Sequence, residues 1–125
     1  MRLLLDTPIF LWLMNGSRRL SRPAKALIES ADTVFVSSAT IWEIAIKVQL
    51  GKLTADLDEV IEQIDANGFA ELSIYARHAK EVAKLPRHHG DPFDRLLIAQ
   101  AISETMRLLT SDAHLTAYSE LVKCV

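Results

Sequence analysis

Four carboxylates stand where the chain leaves an apolar run or enters one. Asp6 ends LLLD, Glu43 interrupts TIWEIAIK, Asp94 opens DRLLIAQA and Asp112 follows RLLTS. An unpaired negative charge beside apolar sequence is costly. A divalent cation faced by all four would give them one common purpose. Mg²⁺ and Mn²⁺ take hard oxygen donors, and carboxylates hold them.

Each acid also has a plainer reading. Asp6 can cap the helix that starts near Pro8. Glu43 lies four residues before Lys47, the spacing of a helix-surface ion pair, yet Ile41, Trp42 and Ile44 crowd it with apolar neighbours. Asp91-Pro92-Phe93-Asp94 is a helix start: a cap, a proline in the first turn, then an acid near the positive end of the helix. Asp91 is therefore either a cap or an accessory ligand, and Asp94 can serve both purposes. Asp112 can cap the segment after it. Thr7, Thr110 and Ser111 flank the acids, either to orient them and a metal-bound water or as turn residues. Arg87 and Arg95 can hold a phosphodiester bidentately, and Arg95 can instead neutralise Asp94 or Asp91. His88-His89 does not make a zinc site, because no other histidine or cysteine stands at a suitable spacing.

The elements that must position these residues alternate. Residues 2–5 read as a buried strand, and Pro8 opens a helix that Asn15-Gly16 closes. Ser21 caps a helix from Arg22 to about Ser30. Thr33 to Val36 is a β-branched and aromatic second strand. Ser37 or Ser38 caps a helix whose apolar face is Ile41, Ile44, Ala45 and Val48, stopped by Gly51. Asp56 caps the next, which ends at Asn67-Gly68. Phe69 to Ile74 is a weaker third strand, and a helix near 75–84 follows. A strongly apolar helix runs from Asp91-Pro92 to about Glu104. Met106 to Thr110 is a fourth strand, followed by a short helix near 112–118 and a last strand near 121–125. This alternation predicts one three-layer α/β/α domain around a mainly parallel sheet of four to five strands. Sites in such sheets lie beyond the carboxyl ends of the strands, which already brings Asp6 and Asp112 to one edge.

The whole chain narrows the class. Its 125 residues suffice for one domain with a real core. A formal net charge of −2 argues against binding nucleic acid through overall charge, though not through a local basic patch. Cys124 is the only cysteine, so no internal disulfide can form, and the expected setting is a reducing cytoplasm. The opening MRLLLDTPIFLWLMNG is not read as an export signal, because Asp6 and Pro8 interrupt it and no small-residue cleavage site follows. No run reaches the roughly 18 apolar residues of a membrane span.

Taken in order, these segments resemble the PIN-domain family, and within it the VapC-type toxins of bacterial toxin–antitoxin pairs. The likeness runs nearly end to end. LLLDTPIFLWL is similar to the family's first strand and helix, with Asp6 as first acid. VSSATIWEIAIKVQLGKL matches its second segment, with Glu43 in the acid position. HHGDPFDRLLIAQA is the most specific piece, with Asp94 as third acid and Asp91 accessory. LLTSDAHL carries the fourth, Asp112, in a Thr-x-Asp pattern at Thr110. Pro8, Thr40 and Gly90 depart from residues common in the family, and none of them removes an acid.

The resemblance implies a metal-dependent endoribonuclease. The acids would hold one or two Mg²⁺ or Mn²⁺ ions, and a metal-activated water would cut single-stranded or looped RNA. It also implies a cognate antitoxin that silences the enzyme, docked beside the first helices around Phe10, Trp12 and Trp42, with an arginine in the acidic pocket. A homodimer is expected, both from the resemblance and from apolar surface at Phe10, Trp12 and the helix near 22–30. The contrasting reading is an inactive PIN-like scaffold that binds RNA or protein. An aspartyl-phosphate phosphatase is disfavoured because Pro8 fills the position where that chemistry wants a second acid. A response-regulator receiver is disfavoured because no acid pair lies near Asp6.

Overall fold

In a computed structural model, residues 1–88 and 90–125 are described. His89, and with it the paired-histidine reading, lies outside the described residues.

Three consecutive leucines make the centre of the sheet. A strand buried on both faces has no need of alternation, and β1 (Arg2–Leu5) is such a strand. Leu3 and Leu5 enter one apolar layer while Leu4 enters the other. Around it lie β2 (Thr33–Ser37), β3 (Ala70–Leu72), β4 (Arg107–Thr110) and β5 (Val122–Cys124), in the order β3-β2-β1-β4-β5. All four pairings are parallel, so the sheet has five strands and no antiparallel member.

The chain winds one way from β1 through β2 to β3, then returns to the other side of β1 for β4 and β5. The order therefore reverses at β1, and such a reversal opens a crevice at the carboxyl ends of the strands. Leu5 is level with Val36 and with Leu109. One residue further on, Asp6, Ser37 and Thr110 stand side by side at that edge.

Helices cover both faces. On one lie α1 (Thr7–Met14), α2 (Arg22–Ser30), α3 (Ser38–Gln49) and α4 (Leu57–Ala66), with Ile9, Phe10, Ala24, Ile44, Val60 and Ile64 in the layer beneath them. On the other lie α5 (Ala76–Val82), α6 (Pro92–Glu104) and a 3₁₀ turn over Ala113–Tyr118. The caps follow the sequence reading: Asp6, Ser21, Ser37, Asp56 and Asp91 each accept a backbone amide at the start of a helix. Gly51 and Gly68 follow α3 and α4 with φ of 72°, a conformation that strains a residue bearing a Cβ.

Two expectations change. Phe10 is fully buried and carries no interface, so the surface expected from it for a dimer is absent. Burying a phenylalanine side chain contributes about 1.5–3 kcal/mol, and α1 points it inward with Ile9. The third strand is three residues long rather than six, since only Ala70, Glu71 and Leu72 pair with β2.

Helix α6 is enclosed on all sides over Leu97–Ala101, where five successive residues are buried. One of the five is polar. Gln100 accepts the Ser37 hydroxyl at 2.5 Å and donates to the Ser73 carbonyl at 3.4 Å and to His78 Nδ1 at 3.3 Å. His78 Nδ1 also accepts the Tyr75 amide at 3.0 Å, which leaves the ring proton on Nε2 for Glu104 at 2.9 Å. Arg77 completes the chain on Glu104 at 2.9 Å. The His78 contact, then Arg77, holds the Glu104 carboxyl below the usual range. At its last turn α6 is tied to β1, where Arg2 donates to the Glu104 carbonyl.

Candidate active site

The crevice at the end of β1 holds a buried acid. Asp6 is 2% exposed. Its Oδ1 accepts the Ile9 amide at 3.0 Å, so the capping reading holds. Burial pushes its carboxyl up to about 7. The Thr110 hydroxyl and the Ile9 amide oppose that rise, while the nearby carboxylates Asp94 and Glu43 add to it. Glu43 on α3 and Asp94 on α6 are thus both felt at Asp6, at the edge of the sheet.

Glu43 is held from two sides. Its Oε1 accepts the Thr7 hydroxyl at 2.8 Å, and its Oε2 meets Lys47 Nζ at 2.8 Å. The ion-pair reading therefore holds, for an acid that is also buried. Thr7 also reaches Thr40 at 3.1 Å, a link between α1 and α3 with no signal in the sequence.

Asp112 begins the 3₁₀ turn. Its Oδ1 accepts the His114 amide at 2.9 Å and lies 3.0 Å from His114 Nδ1. Thr110 is fully buried and fixes the turn by accepting the Asp112 amide at 3.0 Å. Thr110 therefore links the Asp6 carboxyl to the Asp112 amide. Ser111 is exposed in the same turn. His114 was not singled out in the sequence, though its position two residues after a capping acid is the available signal.

Asp91 caps α6 through the amides of Phe93 at 2.8 Å and Asp94 at 3.0 Å, both bonded to its Oδ1. Arg95 donates to the Pro86 carbonyl at 2.8 Å and to the Tyr118 hydroxyl at 3.2 Å, with the Val82 and Leu85 carbonyls at 3.4 Å. Its guanidinium braces the segment before α6. Arg87 is exposed, and with His88, Gly90 and Arg95 lines a basic cleft of about 450 Å³ at the start of α6.

The donor set suits a hard divalent cation: all oxygen, anionic, and centred on an acid that burial raises to about 7. Among the described residues, no three His, Cys, Asp or Glu side chains are gathered closely enough to cage an ion as they stand.

This geometry agrees with what the chain is similar to. The model of the PIN domain matches residues 3–121. Ribonuclease VapC22 from Mycobacterium tuberculosis is 31% identical over 121 residues, covering 92% of this chain and 90% of that protein. Among solved structures, VapBC2 from Rickettsia felis bound to a promoter DNA fragment superposes with a TM-score of 0.73 at 16% identity, covering 100% of this chain and 99% of the other. VapBC-5 from Mycobacterium tuberculosis gives a TM-score of 0.67 at 21% identity, covering 99% and 97%. At those identities the structures speak to the fold. The chain belongs to the PIN-domain family, among its VapC-type members. Among the described residues, no helix is long and apolar enough to cross a membrane.

Proposed function

We propose that this chain is a divalent-metal-dependent endoribonuclease and the toxin of a toxin–antitoxin pair, acting in the cytoplasm. The observation that carries the reading is Asp6, buried at the reversal point of the sheet with its carboxyl raised to about 7 beside Glu43 and Asp94. The similarity to Ribonuclease VapC22 supports it.

In this mechanism Asp6, Glu43, Asp94 and Asp112, with Asp91 as an accessory, would hold Mg²⁺ or Mn²⁺. When bound, the ion lowers the pKa of a water and stabilises charge on the scissile phosphate. The protein's own contribution is position. Thr110 positions Asp6, Thr7 positions Glu43, and Lys47 balances the charge of Glu43. Arg87, in the basic cleft, draws the RNA backbone toward the acids.

The test is a titration. Mg²⁺ or Mn²⁺ at millimolar concentration should raise the melting temperature of the wild type by a few degrees and switch on RNA cleavage. No shift and no cleavage with either ion would leave the inactive-scaffold description in its place.

The same reading includes an antitoxin. Of the solved structures similar in fold, one from Klebsiella pneumoniae is a toxin–antitoxin complex, and VapBC-5 is a member of a family of toxin–antitoxin systems. A cleft of about 280 Å³ lies between α1 and α4, with Leu11, Met14, Leu53 and Val60 inside and Asp56 and Glu59 at its rim. It suits an amphipathic, basic segment better than Phe10 does. An arginine of that partner would pair with the acids in place of metal. Co-expression with the adjacent reading frame should yield a complex that no longer cuts RNA. A neighbour that binds and leaves cleavage unchanged overturns the blocking role. A homodimer also belongs to the reading, with exposed Leu50 and Ile61 as apolar surface.

A further inference from the structure

The largest aromatic side chain near the acids is left outside the core. Trp42 is 55% exposed, although it sits on α3 directly before buried Glu43. Its indole meets the Phe93 ring edge-to-face, with centroids 5.0 Å apart and planes at 77°. Phe93 is half-buried and directly precedes Asp94 on α6. The two rings therefore bridge the two helices that each present an acid at the next position. The bracing contact fixes the indole without covering it, so a ligand stacking there has little side-chain freedom to freeze.

Resting on the nuclease reading, we propose that Trp42, braced by Phe93, is the platform on which an unpaired RNA base next to the scissile phosphate stacks. Aromatic faces accept any base by stacking, and unstacked bases in loops and single strands are what such faces bind. Charge favours RNA over a protein segment at this place. The basic cleft of Arg87 and His88 opens at the same end of α6 as Phe93. A strand whose base lies on Trp42 and whose phosphate faces the acids thus has a cationic surface for its neighbouring phosphates. An apolar peptide on the indole would gain nothing from that charge.

The decisive experiment combines kinetics with a modified substrate. Trp42→Ala should raise KM for a short single-stranded RNA about tenfold while kcat stays within about twofold, and Trp42→Phe should restore most of the loss. With an abasic nucleotide beside the cleaved bond, wild type and Trp42→Ala should become equal. In the non-cleaving Asp94→Asn variant, the same RNA should quench indole fluorescence, and Trp42→Ala should remove that quenching. An unchanged KM in Trp42→Ala overturns the proposal. So does a variant that loses self-association or partner binding while its KM is unchanged, which would make Trp42 a protein contact. Quenching through Trp42 in a wild type that never cleaves RNA would support the platform and remove the nuclease reading instead.

Discussion

Asp94→Asn and Asp6→Asn should each lower RNA cleavage at saturating Mg²⁺ or Mn²⁺ by about a thousandfold or more. That corresponds to about 4 kcal/mol of lost transition-state stabilisation. Neither change should disturb the fold. Asparagine caps a helix about as well as aspartate, so Asp6→Asn keeps the start of α1. Asp94 lies in the first turn of α6, where its charge adds about 0.3–1 kcal/mol of helix-end stabilisation. Cleavage by purified variants, alongside far-ultraviolet circular dichroism, measures both halves. Full activity with an intact spectrum would remove the acids from the mechanism.

The metal-free protein should lose stability as pH rises, and Asp6 should be the main cause. In the unfolded chain its carboxyl titrates near 3.8, and in the fold at about 7. Below pH 3.8 both states are protonated and the contribution is complete. Between those values the unfolded chain gives up the proton and the native state keeps it, so stability falls. Above about 7 the loss is complete, at most about 4 kcal/mol. Glu104, held low by His78 and Arg77, acts in the opposite sense and loses its stabilisation as pH falls. Comparing wild type with Asp6→Asn cancels that contribution. The variant should melt on the order of 5–10 °C higher at pH 8 in EDTA, and at the same temperature near pH 4. Equal melting at pH 8 would mean that Asp6 is not strained by its surroundings.

Much of this molecule is legible before folding, because its strongest signals are local. Leu3-Leu4-Leu5 reads as a doubly buried strand, and Asp91-Pro92 as a helix start, from chemistry within a few residues. The capping acids are local in the same way, which is also why caps and candidate ligands cannot be separated in the sequence. What was hidden depends on contacts between distant segments. Arg95 could be given to phosphate or to a neighbouring acid, whereas its partners are the carbonyls of Val82, Leu85 and Pro86 and the hydroxyl of Tyr118. Phe10 sits in an unbroken apolar run, IFLWL, that hides which residues face inward. The basic reach of Lys47 was visible at four residues. Its joint hold on Glu43 with Thr7 was not, because Thr7 approaches from another helix.

The polar chain from Ser37 to Glu104 bears on the precision of the reaction. Leucines and isoleucines in a helix groove tolerate a slip, because one apolar contact resembles the next. A slip of one residue along α6 would move Asp94 about 1.5 Å and swing it about 100° around the axis. Gln100 and Glu104 prevent that, since their partners on β2 and α5 are directional and would be left unsatisfied in the dry interior. Helix α6 is thus indexed like a key in a keyway, and the ionisable end of the helix inherits a fixed depth and angle from side chains roughly two and three turns away.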